Sequence, residues 1–127
     1  ANMPCLTSGA LDCCVLANNH VLDWGYAGLA ETLDTLHRAR VYTAGAGHND
    51  DEAAAPAVLA TAKGRVLVFS MGTASSGIPP KWAATPGRPG VNLLPDFSDA
   101  RLRQIAAQVK AVKRPRDVVV AWSFAGK

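Results

Sequence analysis

No run in this sequence is long and apolar enough to span a bilayer, and no signal peptide opens it. Aromatic residues are scarce at 6%, and none is interleaved with the late basic residues Arg101, Arg103, Lys110, Lys113, Arg114 and Arg116. Nucleic-acid platforms stack bases on aromatics inside a basic groove. That run therefore reads as the solvated face of a helix, and no nucleic-acid partner is expected. Cysteine is limited to Cys5, Cys13 and Cys14, an odd number with two adjacent. Neighbouring strand residues point to opposite faces, so Cys13 and Cys14 do not pair readily. Buried reduced thiols are expected, which fits a reducing, cytoplasmic compartment. A serine nucleophile finds no support, because Ser75-Ser76-Gly77 has no His or acid at a telling spacing.

What is present is an ordinary globular balance: 49% hydrophobic, 18% charged, net charge +3. The 127 residues make one domain at most. The first residue is Ala1 and the chain opens in what reads as mid-element, so 1–127 is expected to be a partial domain.

The elements follow in α/β order. Pro4 to Ala10 reads as a short helical turn, with Pro4 at its first position and Gly9 at its stop. Asp12 to Ala17 is a short apolar run, expected as a strand buried on both faces. Leu29, Leu33 and Leu36 fall at helical spacing within Tyr26 to Ala39. Val41 to Thr43 is a short strand, ended by Ala44-Gly45-Ala46-Gly47, and Asn49 or Asp50 caps a brief helix over Asp51 to Ala54. Ala57 to Thr61 and Arg65 to Ser70 form a hairpin across Ala62-Lys63-Gly64. Gly72 to Pro95 is rich in Gly, Pro and Ser and reads as a long functional loop. Ser98 or Asp99 caps a helix to about Lys113, with Leu102, Ile105, Ala106, Val109 and Val112 as its apolar face. Pro115 ends it, and Asp117 to Ala121 is expected as another buried strand.

The chemistry concentrates at Asn18-Asn19-His20. These residues follow a buried strand directly, and open α/β sheets place ligands at the carboxyl ends of strands. An Asn carbonyl binds cations, and an imidazole binds metal or moves protons. Asp23 is close enough to accept a ring N–H from His20 and orient it. The same residues also suit a turn held by Asn side chains, with His20 merely packed. Gly45-Ala46-Gly47-His48-Asn49 offers backbone N–H groups to an anion, with Gly45, Gly47 and His48 as candidate contacts. It equally suits a strand-to-helix turn that needs positive φ. His37 lies near a helix carboxyl end, where compensation of the dipole is expected. Trp24 either walls a pocket or anchors its loop, and Trp82 is expected to pack the long loop down.

Val15-Leu16-Ala17-Asn18-Asn19-His20-Val21-Leu22-Asp23-Trp24-Gly25 resembles the signature of the bacterial capsule-synthesis CapA family, linked to poly-γ-glutamate. The likeness continues through Gly28-Leu29, Thr32-Leu33, Ala44 to Gly47, Pro56 to Val58 and the strands at Arg65 and Asp117. It implies a metallophosphoesterase-like sandwich of sheets flanked by helices, incomplete here at both ends. It implies Asn19 as a metal ligand and His20 as a general acid or stabiliser of the leaving oxygen, beside a pair of divalent metals such as manganese, iron or zinc. Asn18 and Asp23 would support the loop. The family's early Gly-Asp motif has no counterpart in this sequence. Its His-Trp-Gly motif is missing too: the last strand runs into Trp122-Ser123-Phe124. One Asn and one His do not hold a dinuclear site. The chain alone is thus expected to hold no such metal pair and to lack metal-dependent hydrolysis. Two alternatives stand beside this reading: an active hydrolase whose site is completed by oligomerisation, and a non-catalytic anion-binding module. The substrate is unspecified, and a membrane anchor on a parent protein is left open.

Overall fold

The computed structural model describes residues 12–95 and 98–124. The expected turn at Pro4 to Ala10 lies outside the described residues. The architecture is mixed α/β. Strand β1 (Cys13–Val15) pairs in parallel with β2 (Tyr42–Ala44), and helix α1 (Gly25–Arg38) connects them. Parallel neighbours need such a crossover. Leu29, Leu33 and Leu36 form the buried stripe of α1, at the spacing that puts side chains on one helix face. Leu29 and Leu33 are fully buried, worth about 1.5–3 kcal/mol each. They pack with Ala17, Leu22, Ala46, Ile78 and Val91 into the first of two core clusters.

The end of α1 is closed by a left-handed residue. Arg40 has φ 62°, which lets its N–H reach His37 O at 3.0 Å and lets Val41 N–H reach Leu36 O at 2.9 Å. These bonds satisfy helix-end carbonyls that otherwise have no partner. Gly is the usual occupant of such a position, since an L side chain is strained there. Strand β3 (Ala46–Gly47) follows, then helix α2 (Asp50–Ala54), whose Glu52 N–H donates to the Asn49 side chain at 2.8 Å. Asn49 is therefore the cap, one of the two residues expected.

The hairpin is present as β4 (Ala57–Thr61) and β5 (Gly64–Thr73), antiparallel from Ala57↔Val68 to Thr61↔Gly64. Strand β5 is the hub of its sheet. It carries β4 and β7 (Leu93–Leu94) on one edge and β8 (Val118–Phe124) on the other, the last two parallel to it. Helix α3 (Asp99–Val112), capped by Ser98, covers one face. There Ile105 and Val109 meet Leu67, Phe69, Met71, Leu94 and Val119, the second core cluster.

Four expectations are corrected. The last strand is not buried on both faces. Val118, Val120 and Trp122, on the face away from α3, are 58%, 44% and 53% exposed. Among the described residues β8 pairs with β5 alone, so it is an edge strand. The apolar face of α3 is only half used, because Leu102 and Val112 are exposed and only its middle reaches the sheet. The Gly72 to Pro95 stretch is not a plain loop. It holds two 3-10 turns (Ala74–Ser76, Pro80–Trp82), β6 (Gly90–Val91) paired with β3, and β7. Ile78 and Val91 anchor it in the first core, and Trp82 packs against them. Strand β1 is half-buried along its length rather than sealed. No helix among the described residues is long and apolar enough to cross a membrane.

Candidate functional site

Chain direction places the Asn-His segment. Strand β1 ends at Val15, and Leu16 N–H still bonds Ala44 O at 2.8 Å, so Ala17 leaves the sheet at its carboxyl end. Ala17 is buried and anchors the exit, and the next residues turn outward. Asn18 Oδ1 accepts the His20 backbone N–H at 2.9 Å, a local Asx-type turn. Asp23 N–H then bonds His20 O at 3.0 Å and Gly25 N–H bonds Leu22 O at 2.9 Å. These bonds hold a compact turn that feeds α1, with Leu22 buried beneath it.

This turn brings the His20 and Asp23 side chains together. Nδ1 of His20 lies 2.8 Å from Asp23 Oδ2. An ionised carboxylate only accepts, so Nδ1 carries the proton and donates. Nε2 of His20 is left facing outward on a side chain that is 76% exposed. The arrangement fixes ring orientation and tautomer together, as carboxylate–imidazole pairs do. His20 is thus neither sealed in apolar packing nor free to rotate.

Asn19 turns toward a second segment. A Cβ added at Gly77 would sit 3.4 Å from Asn19 Nδ2, so the Asn19 amide lies over the turn after β5. Gly77 has φ 93°, and its N–H bonds Ala74 O at 3.1 Å. Around it Thr73 Oγ1 and Ser75 Oγ are 2.8 Å apart, and Ser76 Oγ donates to Thr73 O at 2.6 Å. The sequence had offered Ser75-Ser76-Gly77 only as a rejected nucleophile. Its place beside Asn19 carries no local signal, since it depends on how β5 lies against β1 and β2. Trp24, by contrast, is 90% exposed and neither walls a cavity nor anchors its loop in the core.

The donors at this turn fall short of a metal centre. Asn18 Oδ1 and His20 Nδ1 are occupied, which leaves the Asn19 amide oxygen, His20 Nε2 and Oδ1 of Asp23. A bound divalent ion takes at least about four donors. No group of three or more His, Cys, Asp or Glu assembles into a metal-holding set among the described residues. The residues described therefore do not fit a divalent metal by themselves.

The Gly45 to Asn49 segment is tightly packed between β2 and α2. Gly45 has φ 94°, and a Cβ there would lie 2.4 Å from Ser70 Oγ and 2.8 Å from the Ala17 Cβ. At Gly47 a Cβ would lie 2.5 Å from the Ala53 backbone nitrogen. Both glycines permit close packing. His48 sits between two carboxylates, Nδ1 at 2.8 Å from Glu52 Oε1 and Nε2 at 3.0 Å from Asp34 Oδ1. Two acceptor-only partners demand two N–H donors, so both contacts are hydrogen bonds together only when His48 is an imidazolium. The hydrogen bond to Glu52 above all raises its pKa above the ordinary value; burial, next in size, opposes it, and the charge of Glu52 and the hydrogen bond and charge of Asp34 add to the rise. The flanking carboxylates oppose a second anion at this loop. Cys13 and Cys14 are free thiols, pushed up in pKa by burial.

Comparison with known proteins adds the family. The sequence matches the family of the bacterial capsule synthesis protein PGA_cap over residues 1–127. It is 43% identical over 134 aligned positions to a Mycobacterium tuberculosis protein named "Probable polyglutamine synthesis accessory protein", present in strains CDC 1551 and H37Rv. That match takes in 98% of this chain and 35% of the relative. An uncharacterised Sinorhizobium fredii protein is 43% identical over 82 positions, covering 61% of this chain and 18% of that protein. The chain spans about a third of the length of the mycobacterial relatives it matches. With the family matched from first residue to last, and the Asn-Asn-His turn standing where its signature was read, this chain belongs to the bacterial capsule synthesis family PGA_cap.

Proposed function

We propose that this chain supplies the strand-end Asn-His turn of a metallophosphoesterase-like hydrolytic site, within a longer protein that serves capsule or polyglutamate-type polymer synthesis. The observation that carries this reading is the His20–Asp23 contact at 2.8 Å, with Nε2 left outward on an exposed ring. A proton donor to a leaving oxygen needs a fixed ring and a reachable nitrogen. His20 has both. Asn19, over the Gly77 turn, would be one ligand of a divalent metal whose remaining donors lie beyond the described residues. The polymer role follows from the family and from the name its mycobacterial relatives carry.

The test uses a longer protein containing this chain, assayed for manganese-dependent hydrolysis of a phosphate ester. His20→Asn is expected to lower turnover by about 10²–10⁴-fold, and Asp23→Asn by about 10–100-fold. Folding should be unchanged by circular dichroism. Wild-type turnover in both variants would remove His20 from the reaction.

A further inference from the structure

A second place in the molecule has the form of a binding site and owes nothing to the Asn-His turn. It is a cavity of about 720 Å³ between the end of α1, β2 and α2. Ligand pockets typically run about 300–1,000 Å³, largely apolar with a few polar groups fixing orientation. Val41, Pro56 and Val58 supply apolar lining here, and Arg40, His37 and Glu52 supply polar groups. Tyr42 also lines it and opens β2, paired with Cys13 at the start of β1. The cavity therefore sits at the amino end of that parallel pair, while Asn19 and His20 leave its carboxyl end.

Two charges on this lining are unspent. The Arg40 guanidinium makes no hydrogen bond or ion pair among the described residues, although the residue occupies the left-handed position that closes α1. A Gly would take φ 62° without strain, and strained residues cluster where function retains them. Glu52 gives Oε1 to His48, while Oε2 has no partner among the described residues. His48 neutralises part of the acidic charge of Asp34 and Glu52, and His37 is tied through Nε2 to Thr43 Oγ1 at 2.9 Å. The lining thus carries a cation from the end of α1 and a carboxylate from α2, together with the apolar Val41, Pro56 and Val58.

We propose that this cavity binds a zwitterion of amino-acid size with an apolar side chain, its carboxylate on Arg40 and its ammonium on Glu52. Neither charge alone recognises the ligand, because a simple anion meets Glu52 and a simple cation meets Arg40. The apolar side chain lies along Val41, Pro56 and Val58.

Calorimetric titration of this chain at pH 6 with L-leucine, N-acetyl-L-leucine and L-leucinamide tests the assignment. L-Leucine is expected to bind at least about tenfold tighter than either blocked form, since each blocked form loses one charge-assisted contact. Arg40→Gly should abolish the preference over leucinamide while raising the melting midpoint, so lost binding is not lost folding. Glu52→Gln keeps an oxygen for His48 and should abolish the preference over N-acetyl-leucine. Asn19→Ala should bind as wild type does. Equal affinity for the three ligands, no heat at millimolar ligand, or an intact preference in Arg40→Gly would overturn the proposal.

Discussion

Arg65 and Asp117, 52 positions apart, meet as a two-point ion pair: Nε donates to Oδ1 at 3.1 Å and Nη2 to Oδ2 at 2.5 Å. The Arg114 backbone N–H adds a bond to Oδ2 at 2.8 Å. The pair ties the start of β5 to the residue that precedes β8. The hydrogen bonds from Arg65, then that from Arg114, lower the Asp117 carboxyl from 3.8 to about 2.

A lowered carboxylate pKa stabilises the fold above the unfolded value and ceases to do so as pH falls through the folded one. Asp117→Asn is therefore expected to melt below wild type at pH 7. The gap should narrow from pH 4 downward and close near pH 2. Thermal melts by circular dichroism at pH 7, 4 and 2 check this, and a gap independent of pH would contradict it.

His48 titrates with the opposite sign. Its folded pKa is raised, so its contribution is complete below the ordinary 6.5 and fades as pH rises through the folded value. Its charged and titratable neighbours are Asp34 and Glu52, with His37 6.3 Å away ring to ring and Arg40 on the same cavity lining. His48→Gln should melt lower than wild type at pH 5 and nearly equal to it at pH 9. Proton NMR of the ring should give a midpoint above 6.5 that moves down in Asp34→Asn.

Gly45 carries a backbone requirement and a packing requirement at once. An alanine would be strained at φ 94° and would drive its Cβ into Ser70 and Ala17. Gly45→Ala is expected to cost roughly 2–4 kcal/mol, the sum of left-handed strain and overpacking. Urea unfolding measures it, and a loss below about 1 kcal/mol would show that the neighbours yield easily.

The open face of β8 should govern solubility. Val118, Val120 and Trp122 form an exposed apolar row on an edge strand, the kind of surface that pairs with other chains. Replacing Val118 and Val120 with Thr and Trp122 with Tyr keeps strand propensity and removes apolar surface. The triple variant should show less concentration-dependent light scattering than wild type at an equal melting midpoint. Equal scattering would place the adhesive surface elsewhere.

Much of this fold was legible because its signals are local. Leu29, Leu33 and Leu36 declare α1 by spacing, Asn49 and Ser98 declare the starts of α2 and α3, and Lys63-Gly64 declares the hairpin. The Asn18, His20 and Asp23 contacts were legible for the same reason, being made within one turn. What stayed hidden depends on distant partners. A valine run reads as doubly buried whether or not a neighbour covers its second face, so the exposure of β8 had no local sign. Ile78 and Val91 are core residues in a stretch without periodicity. The surroundings of the Gly45 to His48 segment come from Ser70 and Asp34, 25 and 14 positions from their contacts.

Strand β5 has neighbours from very different distances along the chain. Its hairpin partner ends three residues before it begins, whereas β8 begins 45 residues after it ends. Loop closure over the longer span costs more entropy and delays the contact. During synthesis the hairpin can assemble while the last strand is still unmade, leaving Leu67, Phe69 and Met71 uncovered until α3 and β8 arrive. Productive folding of this chain is thus a race between that late arrival and self-association of an early sheet, which slower translation past residue 73 would lengthen and chaperone binding would win.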